Sequence, residues 1–187
     1  MKKFSYYLLL PIILFAIVLT QSCGKSSDSG AAVVKATLYD SLGGTALVAD
    51  PTHAGTMIEK GRLGIRSVID STIFVIAGDS KINGHFTVLL SEVGKGNLTG
   101  FTTLSNNLTI FVSVAAGAQD YTYTGLSMTA AHNPATNPRM NGKATAADFT
   151  QFVNDVVVGA NKNKLPSNLI TSVGRLLGTL QSQVVQN

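Results

Sequence analysis

The side chains of this chain best suited to metal binding or nucleophilic chemistry are three histidines and one cysteine: Cys23, His53, His85 and His132. A single cysteine excludes an internal disulfide, a four-cysteine zinc or iron–sulfur site, and the C-x-x-C-H attachment of c-type haem. The histidines are scattered, without the spacing of a zinc site. Neither a Walker-type phosphate loop nor a G-x-S-x-G nucleophile elbow occurs, which argues against a nucleotide enzyme or a Ser-His-Asp hydrolase.

The charge balance argues against a nucleic-acid partner. Lys and Arg number 14 against 10 Asp and Glu, and charged residues make up 13% of the 187 residues, well below the usual share of about 25%. Two of the lysines, Lys2 and Lys3, stand at the very start, so the rest of the chain carries 12 against 10. A nucleic-acid interface needs basic residues clustered on one face, and no such cluster is present.

The first 22 residues are typical of an export signal. A charged start is followed by an apolar run of 15 residues at 6–20, which is shorter than the roughly 20 residues of a membrane-spanning helix. The pattern resembles a bacterial lipoprotein signal, in which Cys23 becomes the acylated first residue, although Thr20 stands where such signals usually have Leu. The alternative is an ordinary secretory leader with an incidental cysteine.

The segment after the signal is predicted to be a tether. Residues 23–36 comprise the acylated Cys23 and a stretch rich in Gly and Ser, and residues 37–187 form the working domain. Each buried CH₂ of an acyl chain contributes roughly 0.8 kcal/mol, so more than one chain anchors a protein stably. We therefore expect a domain that is lipid-anchored to a membrane of the bacterial cell envelope.

Apolar residues at helical spacing predict a mostly helical domain. Taken alone, residues 72–76 and 108–112 favour strands, because they are β-branched and aromatic. Helical spacing nevertheless holds for a longer set, Ile65, Val68, Ile69, Thr72, Ile73 and Ile76. It also holds for Leu104, Leu108, Phe111, Val112 and Ala115, although strand alternation fits residues 108–114 as well.

The last third of the chain predicts two further helices. Residues 146–160 carry an apolar stripe, and a final helix follows Leu165 and Pro166, with Ser167 as its expected N-cap. Gly and Asn occupy the joins between these segments. The fold class predicted from these patterns is all-α, in a single domain.

Four segments, in this order, resemble the group I truncated haemoglobins: LYDSLGG at 38–44, IRSVID at 65–70, KINGHF at 81–86 and YTGLSMTAAH at 123–132. The resemblance continues through the last two helices, covers about residues 37–185, and leaves an insertion at about 45–63. It implies a truncated-globin-like 2-over-2 helical sandwich that binds haem b. Such a protein needs one strong axial nitrogen and an apolar slot for the macrocycle.

The resemblance assigns roles to particular residues. His132 matches the proximal iron ligand, with Met128 four residues earlier on the same helical face, and Phe86 matches the phenylalanine that packs flat on the haem. Candidates for the apolar haem wall are Ile73, Phe111, Phe152, Val153 and Leu176, each of which has ordinary core packing as its alternative.

The distal side departs from the family pattern. Ile73 stands where many members have a Tyr that donates to iron-bound oxygen, and Asn107 stands where they have a Gln. Thr103, one turn before Asn107, adds a hydroxyl on the same face. We therefore expect Asn107 as the distal donor, with looser oxygen binding than the tyrosine would give. His85 stays unassigned, and His53 is expected to be solvated.

The predicted function is reversible binding of a diatomic ligand, O₂ or NO, at a His-ligated haem iron. No catalytic residue is predicted. The chain carries no flavin or NAD domain, so NO dioxygenase-type turnover would need an external electron donor. Two alternatives stay open: an exported lipoprotein that lacks haem and acts as a binding or structural module, and a β-rich adhesin.

Overall fold

Helices dominate residues 35–186, the part of the chain that the computed structural model describes. The elements in chain order are α1 (Leu38–Ser41), β1 (Leu47–Ala49), β2 (Met57–Glu59), α2 (Lys60–Gly78), a 3-10 turn (Asn83–Phe86), α3 (Thr87–Gly94), α4 (Thr99–Ala115), α5 (Met128–Ala131), α6 (Ala146–Lys162), α7 (Ser167–Gly178) and α8 (Gln181–Val184). The all-α prediction is confirmed. The predicted signal, Cys23 and most of the tether lie outside the described residues.

The segments with strand-like composition are helical. Residues 72–76 lie inside α2 and residues 108–112 lie inside α4, so helical spacing outweighs local β propensity in both. The strand interpretation of 108–114 is wrong, and a β-rich adhesin does not describe residues 35–186. None of the helices in this described part is long and apolar enough to cross a membrane.

Capping side chains fix where three of the helices begin. At α1 and at α6 a threonine accepts from the backbone N–H three residues on, while the aspartate at that position accepts from the threonine N–H, with the pairs Thr37–Asp40 and Thr145–Asp148. Ser127 caps α5 in the simpler way. The expected cap of α7 is wrong: Pro166 is the N-cap and Ser167 is the first helical residue, because the fixed φ of proline already sets the start.

Helix α2 is the centre of the fold and packs against both α4 and α6. Its approach to α6 is close at Gly159, where a Cβ would stand 2.4 Å from the Thr72 hydroxyl and 3.1 Å from the Val68 carbonyl oxygen. On the other side, the Ser105 hydroxyl donates to the Asp70 carboxylate over 2.5 Å and joins α4 to α2. A helix that touches two others along its length can form one wall of an enclosed space.

The insertion predicted at about 45–63 forms the antiparallel hairpin β1–β2 and the first turn of α2, with Val48 opposite Ile58. The hairpin closes on α1 through Tyr39, which is 1% exposed and whose hydroxyl donates to Glu59. Burial, followed by the bond to Glu59, raises the pKa of Tyr39. The hairpin therefore packs on the helical domain through a buried tyrosine.

Candidate functional site

An apolar cavity of about 430 Å³ lies among the helices, within the range of about 300–1,000 Å³ of small-molecule sites. Residues from α2 through α7 contribute to its wall. All six residues predicted to bind the cofactor line it: Ile73, Phe86, Asn107, Phe111, Met128 and His132. They come from three helices and a 3-10 turn that are far apart in sequence, so the fold brings the predicted set together.

The imidazole of His132 is oriented by a backbone carbonyl. His132 is the C-cap of α5, and its Nδ1 lies 2.8 Å from the carbonyl oxygen of Met128, four residues earlier. A carbonyl can only accept, so Nδ1 carries the proton and Nε2 keeps its lone pair. A histidine whose second nitrogen donates to a carbonyl in this way is prepared to bind a metal.

The surroundings of His132 favour its neutral form. Burial lowers the pKa of the imidazole below its ordinary value, the hydrogen bond to the Met128 carbonyl raises it, and the charge of His85 lowers it further. Burial is the largest of these effects. Because only a neutral imidazole has a free lone pair, the same burial that encloses the ring keeps it able to bind a metal.

Aromatic and aliphatic side chains form most of the wall. Ile73 on α2 and Met128 on α5 are buried, at 8% and 7% exposure. Phe111 packs edge-to-face on Tyr123, with ring centroids 5.2 Å apart, and the Tyr123 hydroxyl donates to the Leu126 carbonyl over 2.8 Å. The tyrosine thus offers an apolar ring to the cavity while its polar end is satisfied.

Four of the five candidates for the haem wall line the cavity, and Val153 is the exception. Phe152 of α6 and Leu176 of α7 line the cavity, as do Ile73 and Phe111. Val153 does not line it. Adjacent residues on a helix point about 100° apart, so Phe152 and Val153 do not share the same position on the cavity face.

Asn107 lines the cavity, is exposed on α4, and has an unengaged amide. No described residue hydrogen-bonds its side chain, whereas Thr103 donates its hydroxyl to the Thr99 carbonyl over 2.9 Å. Thr72 and Asn137 also line the cavity, and each donates to a backbone carbonyl. Among these polar side chains, Asn107 therefore has its donors free for a ligand.

Three ionisable side chains also lie on the wall: His85, which the sequence left unassigned, and Arg139 and Asp148, to which it gave no role at the site. The ring of His85 lies with Nε2 3.2 Å from the Asp148 carboxylate, and Arg139 pairs with Glu92. These partners are 63 and 47 residues apart, so no local pattern reveals them. His53, by contrast, is 69% exposed beside Asp50, which confirms that it is solvated.

No cluster of three or more His, Cys, Asp or Glu side chains that could hold a metal ion occurs within residues 35–186. No protein-family model matches the chain, and a comparison with curated proteins finds no significant match. The assignment of a function therefore rests on the geometry of the cavity and on the four motifs quoted above.

Proposed function

We propose that residues 37–187 bind haem b in this cavity, with Nε2 of His132 as the protein ligand of the iron, and that the iron reversibly binds O₂ or NO. The observation that carries the proposal is the hydrogen bond from His132 Nδ1 to the Met128 carbonyl at the wall of an apolar cavity. It leaves one neutral imidazole nitrogen free at an apolar wall, which is the donor that a b-type haem needs.

The arrangement of helices supports a truncated-globin fold. Helix α2 packs on both α4 and α6, and α6 packs on α7, with the cavity bordered by all four. In this proposal the four helices form the 2-over-2 sandwich. The His132 segment lies between α4 and α6 in the chain, as the resemblance to group I truncated haemoglobins implies.

In this proposal each residue at the site has a separate role. Haem, when bound, supplies an iron atom that binds a diatomic gas. His132 holds the metal, Phe86 and Met128 pack on the macrocycle, and Ile73 with Phe111 keeps water away. Asn107 donates a hydrogen bond to the ligand. Ile73 provides no donor where the family has tyrosine, so we expect the ligand to be held by one amide alone.

The proposal extends to the position of the protein in the cell. The sequence pattern at residues 1–23 supports acylation of Cys23 and a lipid anchor in the bacterial cell envelope. Any redox turnover, such as the oxidation of NO by bound oxygen, then needs an external electron donor. The same haem site is compatible with storage, detoxification or sensing of the gas.

A visible spectrum tests the haem proposal. The full chain, purified in detergent and supplied with haem, should show a strong Soret band. The variant His132→Ala should weaken or shift the band, and added imidazole should restore it by filling the space that the substitution leaves. His53→Ala is the matched control, because His53 is exposed on the hairpin, and its spectrum should equal that of the wild type.

A colourless wild-type protein after reconstitution would reject haem binding. The haem-less lipoprotein, acting as a binding or structural module, would then be favoured. A Soret band that His132→Ala leaves unchanged would keep haem binding and remove His132 as the ligand. Either result can be read without knowledge of the physiological gas.

A further inference from the structure

An arginine and a histidine border the cavity close to the segment that joins α5 to α6. Arg139 lies on this segment, and His85 hydrogen-bonds to it: Nδ1 of His85 lies 2.8 Å from the carbonyl oxygen of Asn141, and the Asn141 N–H donates back to the His85 carbonyl. Arg139 and Asn141 are two residues apart, so their Cα atoms are at most about 7 Å apart. One short stretch of chain therefore carries Arg139 and contacts His85.

Both groups are bound to carboxylates of the chain itself. The guanidinium of Arg139 makes two hydrogen bonds to Glu92, of 2.9 and 2.5 Å. The His85 ring lies between the Asn141 carbonyl and the Asp148 carboxylate, and neither of these can donate.

The ion pair of Arg139 and Glu92 stands against the N-terminal turn of α4. A Cβ on Gly100 would lie 2.3 Å from the Arg139 Nη2 and 2.1 Å from the Glu92 Oε2, so glycine is the residue that leaves room for the pair. Gly100, Thr103 and Arg139 line both the main cavity and a neighbouring one of about 240 Å³. The guanidinium thus stands at the boundary between the two spaces, and about half of its side chain is exposed.

We propose that Arg139 binds a propionate carboxylate of the haem, and that Glu92 occupies Arg139 when no propionate is present. This inference rests on the haem proposal. The propionates of haem b project from one edge of an otherwise apolar plate, and Arg139 borders a mainly apolar cavity at the point where a second space begins. The bidentate fork of arginine fits a carboxylate, as its contact with Glu92 shows. A propionate can therefore replace Glu92 without any change in the type of bond.

The rate at which haem leaves the protein tests this assignment. The full chain in detergent is loaded with haem or with its iron-containing dimethyl ester, which lacks the two charges, and transfer to an excess of apomyoglobin is followed. We expect Arg139→Gln to release haem about three- to tenfold faster, between the effect of an exposed ion pair and that of a buried charged hydrogen bond. The release of the ester should not change. Glu92→Gln should slow haem release, because it removes the competing carboxylate.

Arg175→Gln is the matched control, because Arg175 lies exposed on α7 and does not line the cavity. Equal haem release from wild type and Arg139→Gln would overturn the assignment of Arg139. An equal increase for haem and its ester would also overturn it, because that result means that Arg139 acts through loop packing. A wild type that binds neither porphyrin would instead reject haem binding itself.

Discussion

The spacing of Met128 and His132 explains how a four-residue helix can prepare a metal ligand. A residue at the C-cap lies one turn beyond the carbonyl four positions earlier. Here the Met128 carbonyl accepts from the His132 backbone N–H over 3.2 Å and from Nδ1 of the His132 ring over 2.8 Å. The side chain of Met128 points into the same cavity. The motif therefore supplies an oriented nitrogen and an apolar contact from one turn of chain.

Asn107 is the residue whose removal should change ligand retention most directly. We expect Asn107→Ala to raise the O₂ dissociation rate about ten- to a hundredfold, because a hydrogen bond to a partly charged group contributes about 1.5–3 kcal/mol. Stopped-flow displacement of O₂ measures the rate. The neighbouring Asn106→Ala is the control, since Asn106 is exposed and does not line the cavity. An unchanged rate in Asn107→Ala would remove Asn107 from the site.

Asp155 is a buried carboxyl whose charge opposes folding. It is 4% exposed, its Oδ2 lacks a hydrogen-bond partner, and burial followed by the charge of Asp79 raises its pKa above the ordinary value of 3.8. Between the unfolded and the folded pKa the folded state binds more protons, so this group makes stability fall as the pH rises above about 4. Its unfavourable effect is complete at neutral pH.

We therefore expect Asp155→Asn to be more stable than the wild type by about 1–2 kcal/mol at pH 7, because the neutral amide removes a buried charge whose one hydrogen bond among the described residues is from Gln151 over 3.3 Å. The difference should shrink as the pH approaches 4. Urea unfolding at several pH values measures it, with the exposed Asp120→Asn as the control. A variant less stable than the wild type at pH 7 would show that the Asp155 charge has a favourable partner.

At the scale of elements, long periodic segments were predictable and short elements were not. Helices α2, α4 and α6 follow from apolar spacing over three or more turns, and this spacing outweighs β-branched composition. The hairpin β1–β2 was missed because each strand has three residues, too few to show alternation. The start of α7 was misplaced by one residue because serine and proline both favour a helix start, and here the proline takes the N-cap position.

The crossing of α2 and α6 depends on Gly159. We expect Gly159→Ala to destabilise the protein by about 1–3 kcal/mol, because the added Cβ would overpack the interface at Thr72 and Val68. Gly174→Ala is the matched control: it lies in α7 with open space around its Cα, so the same substitution should stabilise by about 0.5–1 kcal/mol. Urea midpoints compare the two. Equal effects of the two substitutions would contradict a close contact at Gly159.

At the scale of the whole molecule, the candidate site divides into a predictable part and a part that needs the fold. The motif residues were found because each lies in a recognisable local pattern, and all six line one cavity. Arg139 was missed and His85 was left unassigned because each pairs with a carboxylate 47 or 63 residues away. Charged contacts between distant segments depend on where the fold places the loops. The spacing of side chains along one element does not predict that placement.

The apolar cavity also links the stability of the whole domain to its ligand. A ligand that binds only the folded state adds a free energy of RT ln(1 + [L]/Kd), which is about 2.7 kcal/mol at a hundredfold excess over Kd. We therefore expect haem at that excess to raise the free energy of unfolding of the full chain in detergent by about this amount. Urea unfolding followed by far-UV circular dichroism measures the change, since the helices dominate that signal.

The dependence of this gain on His132 separates specific ligation from haem that merely adheres to apolar surface. His132→Ala should lose most of the gain at the same haem concentration, because its affinity falls when the iron has no protein nitrogen. His53→Ala should keep all of it, since its ring is exposed on the hairpin and does not line the cavity. An equal gain in wild type and His132→Ala would mean that apolar contact alone holds the haem, and a wild type without any gain would mean that haem does not distinguish the folded from the unfolded chain.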